Sequence, residues 1–144
     1  MRNTIAALAA LILMSLPATS KEIQIGNDPG GRIMDRMVQI EIANRTDVQF
    51  QIIGDYCNSS CTMLLGAKDV CVSSETIFGF HGPHRLDRKK MSTDEFDRKS
   101  VTLSSYFPGP VSSWFMSKAR FAGPGELLFV SGEYLIGLGV KECV

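Results

Sequence analysis

Apolar and polar residues alternate over residues 22–25, which predicts a short strand, and the Asn27-Asp28-Pro29-Gly30-Gly31 run after it predicts a tight turn. A helix is predicted from Arg32, where Ile33, Met34, Met37, Val38 and Ile40 form an apolar stripe at three- and four-residue spacing. Residues 44–47 end it. Residues 48–53 read as the next strand, followed by a polar turn around Ser59 and a short helix through Ala67. Residues 70–72 and 76–80 are extended segments that lead to His81. After a loop over 82–91, Ser92 is the predicted N-cap of a helix that runs to Tyr106, with Glu95 at the capping-box position. Pro108-Gly109-Pro110 breaks that helix. Residues 111–121 form another amphipathic helix, 127–130 a strand and 132–138 a last short helix. Strands alternating with helices predict an α/β fold with mostly parallel strands. Ligands of such sheets sit at the carboxyl ends of the strands, where both the Gly-Gly turn and Ser59 fall.

The amino-terminal residues bear on the compartment. Arg2, an apolar core over 5–16 and the small residues Ala18-Thr19-Ser20 have the order of a secretory signal peptide, 1–20. The core is shorter than the roughly 20 residues that span a bilayer, and no cysteine follows it to carry a lipid. The rival reading is a buried N-terminal helix. Export predicts a single domain over 21–144 in the periplasm or outside the cell, with no membrane association after cleavage. In that oxidising setting Cys57, Cys61, Cys71 and Cys143 predict two disulfides, in any of three connectivities. With no C-x-x-C pair and no helical histidine pair, a zinc site is not expected. Fifteen Lys and Arg balance fifteen Asp and Glu, so nothing points to nucleic acid. The basic run from Arg85 to Lys90, interrupted by Asp87, reads as a solvated loop.

The candidate chemistry lies in Cys57-Asn58-Ser59-Ser60-Cys61 and in Phe80-His81-Gly82-Pro83. A serine where a strand turns into a helix presents its hydroxyl clear of the sheet, with free backbone N–H groups aimed at the same place. A histidine at the end of the next strand is placed to take its proton. Each residue also has a plain structural reading: Ser59 as a helix N-cap, His81 as a buried histidine satisfied by backbone, Gly30-Gly31 as an ordinary turn. His84 reads as exposed.

Taken together, these segments resemble the ClpP/crotonase superfamily, and more narrowly its exported ClpP-class serine protease-like proteins. Asn27 to Gly31 is similar to the Asn-Ser-Pro-Gly-Gly turn of that family, with Asp28 in place of the serine. Gly54 to Leu65 resembles the nucleophile segment, and counting back from Leu64-Leu65 puts Ser59 rather than Ser60 on the nucleophile. Phe78 to Pro83 resembles the strand end that carries the histidine, and Glu133 to Gly139 the closing helix. The resemblance implies ClpP/crotonase-like βαβ units with a mostly parallel sheet, in a compact version short at its N-terminus. It also implies a peptidase acting on peptide or protein substrate: Ser59 as nucleophile, His81 as base, and the N–H groups of Gly31 and Ser60 as oxyanion donors. The family's orienting aspartate has no match in Ala122 to Leu127, where Glu126 is the nearest carboxylate and the expected third member. Acyl-enzyme chemistry of this kind needs no cofactor and no metal. Superfamily members assemble into rings or stacked trimers, so a homo-oligomer is implied as well. The alternative is a catalytically inactive binding or assembly domain of the same fold, held by its disulfides. An acyl-CoA enzyme of the crotonase type is a third reading, disfavoured because CoA thioesters are not expected outside the cytoplasm.

Overall fold

Six short strands and four helices build two small sheets, in a computed structural model that describes residues 21–87 and 89–144. The predicted 1–20 signal peptide lies outside the described residues. In chain order the elements are β1 (Lys21–Ile25), α1 (Ile33–Arg45), β2 (Val48–Ile52), β3 (Tyr56–Asn58), a 3₁₀ helix (Ser59–Gly66), β4 (Val70–Val72) and β5 (Ile77–Phe80). They continue with α2 (Thr93–Ser104), α3 (Gly109–Ser117), a 3₁₀ turn (Ala119–Phe121), β6 (Leu128–Ser131) and α4 (Gly132–Gly137). The first sheet, ordered β1-β2-β4, is parallel throughout, and the second, ordered β3-β5-β6, is mixed. The chain is thus mixed α/β.

The expectation of mostly parallel strands holds for β1 to β5 and ends at β6. A single crossover helix would have carried the chain back for a parallel strand. Instead the connection holds both α2 and α3, packed on each other, and the chain re-enters at the end it left, with Phe80 opposite Leu128. One predicted helix also changes form. The 111–121 helix starts earlier, because Gly109 and Pro110 fit its first turn, and it breaks at Lys118 before the 3₁₀ turn. The apolar stripe of α1 is only partly covered: Ile40 and Ala43 are buried, whereas Met34 is 60% and Val38 53% exposed. Its packing partners are β2 and the 3₁₀ helix that starts at Ser59. Ser92 caps α2 as predicted, accepting from the Glu95 N–H, but the Glu95 carboxylate turns to Arg85 and Lys99 rather than back to the cap.

The core gathers Phe50 and Ile52 of β2, Phe78 and Phe80 of β5, Phe115 of α3 and the Met63-Leu64-Leu65 run of the first 3₁₀ helix. Each such side chain contributes about 1.5–3 kcal/mol by leaving water, so this core fixes the helix that carries Ser59 at its head. Disulfides join Cys57 to Cys61 and Cys71 to Cys143. The first clamps the turn around Ser59. The second ties the carboxyl terminus to β4, beside a parallel bridge between Val72 and Glu142. Both bridges require an oxidising environment. Among the described residues no helix is long and apolar enough to cross a membrane.

Candidate active site

The parallel pairing of β3 with β5 brings Ser59 and His81 together. Asn58 lies opposite Gly79 in that register, so the residues leaving the two strands emerge side by side at their carboxyl ends. Ser59 sits there with φ +55°, in the left-handed region uncommon for a serine. Its Oγ lies 2.7 Å from His81 Nε2. On the other side of the ring, His81 Nδ1 lies 2.7 Å from the Gly82 carbonyl oxygen. A carbonyl only accepts, so Nδ1 carries the hydrogen and donates it. In the neutral ring Nε2 is then the acceptor for the Ser59 hydroxyl. That is the tautomer a general base requires.

Gly82 is locked in place. Its N–H donates to the Ala122 carbonyl at 2.9 Å, and a Cβ at this position would lie 1.7 Å from the Arg120 carbonyl oxygen. Only glycine allows the backbone of the Arg120–Ala122 turn to come so close. Arg120 is held in turn by Asp97 at 2.8 Å and by the rings of Phe96 and Phe121. The carbonyl that orients His81 is therefore fixed by packing from α2 and the 3₁₀ turn.

Burial lowers the His81 pKa below its ordinary 6.5, and the charge of His84 lowers it further, against the opposing hydrogen bond to Gly82. The two histidine rings lie 5.2 Å apart, and His84 is exposed as predicted. His81 stays neutral, and able to accept a proton, to a lower pH than free imidazole.

The Gly-Gly turn approaches from the first sheet. Asp28 extends β3 by one parallel bridge, its N–H donating to the Tyr56 carbonyl at 3.0 Å and its carbonyl accepting from Asn58 N–H at 2.9 Å. Gly30, at φ +104°, then lies directly against Ser59: a Cβ there would be 2.7 Å from Ser59 Cβ. The N–H groups of Gly31 and Ser60 donate to no described residue, which leaves them free as the oxyanion donors the resemblance implies. Ser60 is 5% exposed and its hydroxyl has no partner among the described residues. It is Ser59 that offers a hydroxyl to His81.

Glu126 is exposed, and its side chain makes no hydrogen bond or ion pair with a described residue; the group on His81 Nδ1 is the Gly82 carbonyl. Two contributors carried no mark in the sequence. The Gly82 carbonyl is backbone and has no residue code. Arg36 reaches back eight residues to Asp28 with hydrogen bonds of 2.5 and 2.7 Å, and the same carboxylate accepts from Gly30 N–H at 2.8 Å. Asp28 therefore anchors the turn. No protein-family model matches the chain, and no curated protein is similar enough to match it.

Proposed function

We propose that this protein is an exported serine hydrolase of the ClpP/crotonase type that cleaves peptides with a Ser59–His81 dyad. The observation that carries this reading is the 2.7 Å contact between Ser59 Oγ and His81 Nε2, in the required tautomer, beside a glycine turn with a free N–H. His81 takes the hydroxyl proton as Ser59 Oγ attacks the substrate carbonyl. The N–H groups of Gly31 and Ser60 receive the oxyanion. His81 then hands the proton to the leaving amine, and water, activated by the same nitrogen, releases the acyl group. The Gly82 carbonyl orients the ring throughout, the role a carboxylate fills in a triad, but without a full negative charge to stabilise the imidazolium. Two disulfides and the signal-like leader support an exported location, and the superfamily's assemblies support a homo-oligomer.

One observation favours an inactive binding domain instead, the lack of a carboxylate on His81 among its hydrogen bonds. Hydrolysis of a fluorogenic peptide library decides between the two. Ser59→Ala abolishes turnover on the catalytic reading and Ser60→Ala retains it; equal loss from both removes Ser59 from the mechanism.

A further inference from the structure

Next to the dyad the surface opens into a groove of about 940 Å³, a volume suited to a few side chains. It starts at Pro83 and His84, whose ring lies 5.2 Å from that of His81. From there it runs between Arg85, Leu86, the 89–93 stretch, Phe96 of α2 and the Pro124-Gly125 turn. Its apolar wall is formed by Pro83, Leu86, Met91 and Phe96, and Leu86 stands 98% exposed. A leucine held fully in water at a cleft beside a nucleophile is apolar area available to a ligand.

The charges in the groove are one-sided. Arg85, Lys89 and Lys90 line it, and no carboxylate does. Arg85 is already neutralised, by Asp87 at 2.9 Å and by Glu95 at 3.5 Å, and Glu95 also holds Lys99 at 3.1 Å. Lys89 and Lys90 make no ion pair with any described residue. Two ammonium groups without an ion-pair partner among the described residues therefore share the groove lining with apolar side chains. Such an arrangement attracts a partner of opposite charge and repels one of like charge, while the apolar contact supplies the affinity.

We propose that this groove recognises a peptide segment in which acidic side chains flank a large apolar one, and so sets the substrate class of the neighbouring dyad. Its role in substrate choice rests on the serine-hydrolase reading; the recognition itself does not. The chain as a whole is neutral, so selectivity of this kind is local to the groove rather than a product of the overall field.

The test is fluorescence anisotropy on the oxidised protein, with a rhodamine-labelled Glu-Glu-Phe-Leu-Glu-Ala peptide and its counterpart with lysine in place of each glutamate. The acidic peptide is expected to bind about tenfold more tightly, and added salt to weaken it. Lys89→Glu combined with Lys90→Glu is expected to reverse the preference. Equal binding of the two peptides, or a preference untouched by the double reversal, overturns the groove assignment even where Ser59 labels. Equal competition by a single-stranded oligonucleotide overturns it too. A retained acidic preference with Ser59 unlabelled supports the groove and removes the hydrolase reading, so the two failures are separable.

Discussion

Replacing Gly30 with alanine probes how tightly the Gly30-Gly31 turn is built against Ser59, the proposed nucleophile. The new Cβ would lie 2.7 Å from Ser59 Cβ, 2.9 Å from the Asn58 carbonyl oxygen and 3.2 Å from Ser59 Oγ. Ordinary contacts begin near 3.4 Å, so turn and nucleophile must separate by about 0.7 Å to relieve the closest overlap. The backbone adds to this, since alanine at φ +104° is strained by about 1–3 kcal/mol. The Ser59 hydroxyl is held by its 2.7 Å bond to His81, and a shift of that size takes it out of good hydrogen-bond geometry. Misplacement by 1 Å lowers rates about 100-fold, so a loss of about 10- to 100-fold is predicted here. Urea denaturation reads the stability and the rate of fluorophosphonate labelling reads the site. Gly137→Ala is the control, because a Cβ there meets nothing within 4 Å. A folded Gly30→Ala protein that labels Ser59 at the wild-type rate would refute the packing of turn on nucleophile.

Three further predictions concern the histidine and the bridges. Glu126→Gln decides which group serves Nδ1: a labelling rate within about twofold of wild type is predicted because Gly82 holds that nitrogen, and a loss above about tenfold would restore Glu126 to the mechanism. Because the His81 pKa is lowered, first by burial and then by His84, the acid limb of the pH–rate profile falls below 6.5, and His84→Gln moves it upward; an unmoved limb contradicts the coupling. The unfolded chain then binds the proton more readily, so His81 also makes the fold less stable as pH drops below 6.5, an effect that stops growing once the folded histidine is protonated. Loop-closure entropy predicts about 4 kcal/mol from the Cys71–Cys143 bridge, with a sequence separation of 72, and about 2 kcal/mol from Cys57–Cys61, with a separation of 4. Paired serine substitutions followed by urea melts check the order, and labelling should fall more on loss of the smaller bridge because it clamps Ser59.

The positions of Ser59 and His81 were legible in the sequence because both depend on local signals. A glycine-ended apolar run, a small polar residue and an apolar helix mark the first, and the end of an extended segment marks the second. Their meeting follows once β3 and β5 pair in parallel. The antiparallel β6 was not legible, since helix periodicity does not reveal where a two-helix connection re-enters the sheet. Exposure of the α1 stripe had the same origin: periodicity reports which residues share a face, not what the rest of the fold packs against it. The orienting group on His81 escaped for a different reason. A carbonyl is present at every residue, and only the close approach allowed at Gly82 gives that one a role.

Labelling of the oxidised protein with a fluorophosphonate probe, followed by peptide mapping, tests the central claim most directly. A serine hydroxyl reacts only when a neighbouring base accepts its proton. The account predicts a single label on Ser59 that disappears in His81→Ala. A folded protein with both disulfides intact and no label on Ser59 would contradict it.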